Sequence, residues 1–413
     1  MAGSILSTQR RGGLFNPRTQ PPFGEFVALI AMMFATIALS IDAMLPALPQ
    51  IAHDLDLANP NRAQIIITVF MAGIGLGQLF AGPLSDSFGR RRIIVIGVAI
   101  YVMGSLMAYL SHTFEVLLLA RFLQGVGASA PRIVGVAIVR DRYEGRMMAR
   151  VMSFVMTLFI LVPAVAPLFG TFVIHLAGWR SIFLVLVFAG VAMALWLLSR
   201  QPETLEVSHR RPFSFRAIGS AMREIFGNRL VLVYLMAMSL GFGPLFGFIS
   251  SVQQIYDVSF GMGESFALWF AAQALIAGTA GPLNATLVMR FGMRRMASTA
   301  FLMQAVISVA MFTLWRFGVF ETHPFPAFFC WAAAVFFLNG FIFGNLNALS
   351  LEHLGHIAGS AASIIGAVST VIAVLIAMPI GLAFDGTPVP LIFGITCCAC
   401  AGYLLMLYSR RHG

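Results

Sequence analysis

The 413-residue sequence contains no lysine, so all 26 of its basic side chains are arginines. It is also poor in charge of either sign: Asp and Glu together number 16, and charged residues make up 10% of the chain against 59% hydrophobic. That balance lies outside the soluble globular class and leaves little chain for soluble domains. There are four cysteines, Cys330, Cys397, Cys398 and Cys400, all inside apolar runs. None has metal-ligand spacing with histidine, and a disulfide framework has no place in lipid, so they read as small packing residues and no metal site is expected. No G-x-x-x-x-G-K-S/T loop exists, which excludes drive by nucleotide hydrolysis. Neither H-E-x-x-H nor G-x-S-x-G occurs in the apolar runs, and no second carboxylate stands near mid-membrane, so an intramembrane enzyme is not expected. Nor is a cofactor.

The chain is rich in apolar runs long enough to cross a hydrocarbon core of about 30 Å. Twelve are expected, over 26–48, 63–83, 93–110, 116–139, 148–176, 181–198, 230–254, 265–289, 296–317, 325–349, 357–384 and 389–408. The predicted class is therefore an all-α membrane protein. Arginines cluster in every second gap: Arg10, Arg11 and Arg18, then Arg90 to Arg92, Arg140 to Arg150, Arg200 to Arg229, Arg290 to Arg295, and Arg410 with Arg411. The intervening gaps hold only Arg62, Arg180 and Arg316. This asymmetry predicts a multi-pass membrane protein with both termini cytoplasmic. It also accounts for the net charge of +10 without nucleic acid as a partner. The polar segment 1–24 reads as a cytoplasmic tail and not a cleaved signal peptide. The longest gap divides the chain into six-span units at 25–199 and 230–409, joined by a linker at 200–229 and followed by a short tail at 410–413. Within the linker, Phe215, Ile218, Met222, Ile225 and Phe226 recur at helical spacing, which predicts an amphipathic helix on the inner leaflet.

The first run, 26–48, carries one charge, Asp42. A carboxylate in such a run costs roughly 2.5–3.5 kcal/mol on insertion scales, so it needs a cation, a wet cavity or a proton. Arg121 in the fourth run lies at the same expected depth, each roughly six residues, or about 9 Å, from the outer end of its helix. Two readings follow: a static ion pair, or a proton site at Asp42 whose affinity Arg121 tunes.

An internal repeat supports the division. Ala81-Gly82-Pro83-Leu84 returns as Ala280-Gly281-Pro282-Leu283, and Phe88-Gly89-Arg90-Arg91 as Phe291-Gly292-Met293-Arg294-Arg295. Two six-helix halves with parallel repeats resemble the major facilitator superfamily of transporters, in which the substrate site lies between the halves. The run from Gly82 to Arg92 resembles that family's G-x-L-x-D-x-x-G-R-R-x loop at every defining position. The resemblance implies that Gly82, Asp86, Gly89 and Arg90 form a conformational latch between the halves. Arg121 to Gly127 resembles the family's R-x-x-Q-G-x-G motif. In the fifth run, Pro163, Pro167 and Gly170 partly match the motif of antiporters, with Val162, Ala166 and Thr171 where glycines are expected. A plain kinked packing helix is the other reading.

The segments SIDAMLPALPQIAHDL, GPLSDSFGRRR, RFLQGVGAS, VAIVRD, GWRSIF and QPETL resemble, in order, the bicyclomycin and chloramphenicol resistance branch of drug:proton antiporters. The resemblance covers nearly the whole chain from Ala38. It implies proton-coupled efflux of small amphipathic drugs by alternating access, with export of a single endogenous metabolite as the alternative. Small-molecule substrate, protons and lipid are the implied partners, and the chain is expected to be monomeric. One departure stands in the fourth run: Arg132 and Val136 occupy positions where the branch has a small residue and an arginine. Arg132 either snorkels beside Arg140 or faces the cavity and favours acceptor-rich substrates. The candidate cavity residues are Phe34, Met71, Gln124, Arg132, Phe246, Trp269 and Asn345, since apolar, adaptable walls suit varied ligands and a lone amide in lipid needs a partner.

Overall fold

The computed structural model describes residue 17 and residues 19–412, apart from 211 and 353. The tail expected over 1–24 falls mostly outside them. Twelve helical spans cross the molecule: Phe23–Asp54, Pro60–Phe88, Arg90–Tyr109, Phe114–Arg142, Gly145–Ala177, Arg180–Arg200, Arg229–Ser259, Phe266–Phe291, Met293–Arg316, Pro324–Glu352, Gly355–Leu382 and Val389–Arg410. Each overlaps one of the twelve expected runs. An even number of crossings brings both chain ends out on one side, the termini end; the opposite side is the far end.

Two spans are not the continuous helices that the sequence pattern suggests. The first runs as an α-helix over Phe23–Asp42, passes through a single 3-10 turn at Leu45–Ala47, and resumes over Leu48–Asp54. Pro46 and Pro49 are the cause. Lacking an N–H, they cannot bond the carbonyls of Asp42 and Leu45 four residues earlier. The eighth span likewise divides into Phe266–Gly278 and Ala280–Phe291, and Pro282 withholds a donor from Gly278.

Large apolar side chains such as Leu110, Phe172, Phe188 and Leu375 stand more than half exposed on the outside of the spans, a surface that only lipid tolerates over such an area. Of the cysteines, Cys330 and Cys397 share that outer surface, so packing inside the protein explains only Cys398 and, in part, Cys400. The linker helix, Phe215–Gly227, is capped by Ser214, whose Oγ accepts from the amide of Ala217 at 3.2 Å. Its Ile218 and Ile225 bury against the second half of the chain, and Glu224 pairs with His356 at 2.9 Å. The apolar stripe expected on the leaflet is thus partly spent on protein, with Phe215 and Phe226 left exposed.

The apolar interior shows how the halves meet. At the far end one continuous core joins them, with Leu48, Ile66, Phe70 and Phe183 from the first half and Phe248, Tyr256, Phe328 and Ile392 from the second. Towards the termini end the core separates into two clusters. One, around Phe26, Ile94 and Val134, belongs to the first half; the other, around Tyr234, Phe301 and Ile342, is built on the second. The second span lies along the eleventh and the fifth along the eighth, flanking the division. The molecule is therefore closed at the far end and parted at the termini end.

A polar seam completes the closure. Gln64 donates to Gln254 at 2.6 Å, Gln254 donates to Asn61 at 2.7 Å, and Asn61 donates to the carbonyls of Leu382 and Phe384 at 3.2 and 2.7 Å. Spans two, seven and eleven are thereby joined across the halves. Gly381 permits the approach, because a Cβ there would stand 2.2 Å from the Gln64 Oε1. Gln254→Ala removes two of these bonds and strands their partners, a loss of about 1–3 kcal/mol from the closed arrangement. The expected result is a roughly 5- to 150-fold shift of the closed-to-open ratio at the far end, read by hydrogen exchange at the far ends of these three spans. Unchanged protection there would show that the apolar core alone holds the closure.

Candidate functional site

The site forms where the first span breaks. Asp42 is the last residue of the helix Phe23–Asp42 and is 4% exposed. Among the described residues its carboxyl group has no hydrogen-bond or ion-pair partner, and it is not among the fully sealed polar atoms. The fifth span lies directly over the break. A Cβ on Gly170 would stand 2.0 Å from the carbonyl oxygen of Ala43, so only glycine lets the two backbones touch. Gly145–Ala177 continues as one helix through both Pro163 and Pro167, and Thr171 donates to the Pro167 carbonyl at 3.0 Å.

Arg121 is close to this point, yet it does not form the ion pair with Asp42 that equal depth suggests. Its guanidinium donates to the carbonyl of Ser40 at 3.1 Å, to the carbonyl of Ile66 at 3.4 Å and to Gln124 at 2.5 Å, and it stacks 4.2 Å from the ring centre of Phe70. The reason is azimuth. The Ser40 side chain faces Tyr101 within the first half, and two residues along a helix turn the side chain by about 200°, so Asp42 lies on the other side. What Arg121 does reach is the carbonyl end of the broken helix, where partial negative charge accumulates.

Arg121 is fully buried and anchors a chain of hydrogen bonds. Gln124 donates to Ser105 at 2.7 Å and Ser105 to the Tyr101 carbonyl at 2.8 Å; the Tyr101 hydroxyl shares a 2.7 Å bond with Ser40. Spans one to four are held by this network. The glycines of the fourth-span motif make the approach possible: a Cβ on Gly125 would lie 2.1 Å from the Phe70 carbonyl, and one on Gly127 would lie 2.3 Å from the Tyr101 amide. Tyr101, Ser105 and Ser40 were not singled out from the sequence, although Tyr101 and Ser105 stand one helical turn apart in an apolar run. That spacing was the available signal.

The loop cluster at the termini end closes on the first half alone. Arg90 bonds Asp86, Ser85 at 2.8 Å and Asp141 at 2.9 Å. Glu203, just beyond the sixth span, accepts the amides of Arg90 and Arg91 at 2.9 and 3.1 Å. No bond from Asp86 or Arg90 reaches the second half among the described residues, and the Asp86 side chain is 41% exposed. Gly82 faces Ser363 of the eleventh span, whose hydroxyl donates to the Gln78 carbonyl. Asp141 and Glu203 were also missed from sequence, being too far along the chain to associate with the loop by spacing.

The candidate cavity residues divide. Gln124 is 0% exposed with both ends of its amide bonded, so it lines no open space here. Asn345 is buried too, its amide donating to Asn284 at 2.8 Å and to the Phe341 carbonyl at 2.8 Å, which ties spans eight and ten. Phe34 and Met71 are packed in the core, Phe34 edge-on to Phe159. Phe246 and Trp269 are partly exposed, Trp269 lying against Phe325 and Phe329. Arg132 is partly exposed and, among the described residues, has no hydrogen-bond or ion-pair partner.

Comparison with known proteins agrees with this architecture. Residues 28–378 match the model of the Major Facilitator Superfamily. The chain is 28% identical over 376 residues to the bicyclomycin resistance protein homolog of Haemophilus influenzae, covering 90% of this chain and 93% of that one. It is 29% identical over 238 residues to the multidrug resistance protein MdtL of Klebsiella pneumoniae, covering 57% and 59% of the two chains. Among solved structures it superposes on a D-xylose-proton symporter with a TM-score of 0.71 at 14% identity, covering 93% of this chain and 97% of that one. Twelve spans in two halves, the glycine-and-arginine loop and the family match lead to one statement: this chain belongs to the Major Facilitator Superfamily.

Proposed function

We propose that the protein is a secondary active exporter of small amphipathic molecules, drugs among them, driven by protons moving the other way across a bacterial inner membrane. The names of its relatives in Haemophilus and Klebsiella, for bicyclomycin and multidrug resistance, support the substrate class. The arginine clusters support cytoplasmic termini. On that orientation the far end is periplasmic, and the molecule is closed to the periplasm and parted towards the cytoplasm.

The observation that carries the reading is Asp42: the carboxyl group buried within the spans, unpartnered, and placed at a helix break beneath the far-end closure. A charge there is costly while the site is dry, so the group changes charge with its access to water. When the periplasmic end opens, Asp42 takes a proton from that side; when the cytoplasmic end opens, it releases the proton inward. Substrate and proton occupy the shared cavity in different states of Asp42, which couples their opposite movements. The inward proton supplies about 2.3 kcal/mol per 100 mV of membrane potential, plus the pH gradient. Arg121 acts on Asp42 through the carbonyl end of the first helix, and the loop around Asp86 and Arg90 serves as a latch that engages the eleventh span when the cytoplasmic end closes.

Asp42→Asn keeps the shape and removes the titrating group. In vesicles with an imposed pH gradient, substrate efflux driven by that gradient is expected to disappear while insertion and folding persist; gradient-driven efflux in the variant would refute the proton role. Arg121→Ala takes a positive charge from beside the helix end. A cation favours a nearby carboxylate, so without it Asp42 keeps its proton to higher pH. The pH optimum of transport is expected to move upward, and an unmoved profile would break the proposed link between the two residues.

A further inference from the structure

The two halves treat equivalent helix ends differently. The third span begins after Gly89 at φ 99°, and the ninth after Gly292 at φ 79°, with nearly the same ψ. In the first half three carboxylates surround that helix start: Asp86 and Asp141 on Arg90, and Glu203 across the first two amides. In the second half no side chain accepts from the matching amides, those of Met293 to Arg295, among the described residues. The last span ends on Arg410, as the sixth ends on Arg200, and no carboxylate from it reaches this helix start among the described residues.

What fills that place is a cavity of about 630 Å³, lined by Arg294, Arg295 and Arg410 together with Ser298, Thr299 and Glu352. Arg294 donates its Nε to the Tyr234 hydroxyl at 3.0 Å, which aims the rest of the guanidinium without neutralising it. Arg295 and Arg410 have no ion pair or hydrogen bond among the described residues, and Glu352 pairs with neither. Ser298 is 6% exposed, lines the cavity, and its hydroxyl has no partner among the described residues. Three guanidiniums against one carboxylate, free amides at a helix start and a buried idle hydroxyl are the recognition set of a phosphate group.

We propose that this cavity binds the phosphate of an anionic phospholipid. Its arginines lie at the termini end of the spans, at headgroup level, and its wall continues over Leu302, Leu349 and Tyr403 towards the hydrocarbon, where an acyl chain runs. The lipid supplies to the second half the negative charge that Asp86, Asp141 and Glu203 supply to the first. The site lies outside the cleft between the halves and does not depend on the transport reading.

The test uses the purified full-length protein in detergent, with thermal unfolding and native mass spectrometry after addition of phosphatidylglycerol, phosphatidylcholine or inorganic phosphate. The wild type is expected to retain phosphatidylglycerol in preference to phosphatidylcholine and to be stabilised by it. Arg295→Gln combined with Arg410→Gln, both exposed and so tolerated by the fold, should weaken that binding by about tenfold or more, as expected for lost charge-assisted bonds. Ser298→Val should weaken it without changing charge. The control Arg146→Gln with Arg316→Gln, which removes equal charge elsewhere, should leave it intact. Equal retention in the wild type and the double variant, or equal loss in the control, overturns the site. Stabilisation by inorganic phosphate with no further gain from phosphatidylglycerol overturns the lipid as its occupant.

Discussion

A helix that stops inside a bilayer leaves carbonyl groups that no lipid can satisfy, and the first half of this protein is organised around that cost. Pro46 and Pro49 end the first helix at Asp42, and at the break the Met44 amide bonds the Ile41 carbonyl, which leaves that of Ser40 free. Arg121 answers by donating to Ser40, and a buried guanidinium in turn requires acceptors of its own. Ile66 and Gln124 provide them, Gln124 is held by Ser105, and Ser40 is held by Tyr101. One interrupted helix thus recruits polar groups from spans two, three and four. The glycines at 125 and 127 follow from the same demand, since these short bonds require helices that nearly touch.

The two ends of the molecule are held by different chemistry. At the termini end the bonds are ionic, and those around Arg90 lie wholly within the first half, so that cluster makes a rigid body and leaves its neighbour free. At the far end the halves share neutral amide bonds and apolar contact. A neutral hydrogen bond contributes about 0.5–1.5 kcal/mol, so a few of them make a closure that modest free energy can open and re-form. Strong bonds inside a half and weak bonds between halves are what a rocking movement requires, because the seam yields before either bundle deforms.

The spans were legible because length and hydropathy suffice to identify a membrane helix, and the loop motif was legible because its spacing is strict. Depth was legible too: Asp42 and Arg121 do lie near one another along the bundle. Azimuth was not. A depth argument counts residues from a helix end, whereas contact depends on which side of the helix each residue occupies, and two positions along the first span reverse that side. The break after Asp42 had a visible cause in the two prolines of LPALP, but a run of apolar residues hides it. Pairings such as Asn61 with Gln254 or Arg90 with Glu203 join residues more than a hundred positions apart, and no local pattern carries that information.

The halves repeat in architecture and diverge in charge, and the divergence bears on how coupling can work. Among the described residues only the first half buries a carboxyl group at a helix break; the second offers amides, such as the Asn284–Asn345 pair, and a wall of aromatic rings. Amides and rings do not change charge with water access. On the proposed reading, a change of charge in the cavity therefore originates in the first half. On the reading proposed above, rocking need do no more than move the wet boundary past Asp42, which is buried beneath the closed far end. On that reading substrate contacts on the second half can stay constant through the cycle, which relaxes the demand for a specific ligand and leaves selectivity to size, apolar area and the charge of Asp42.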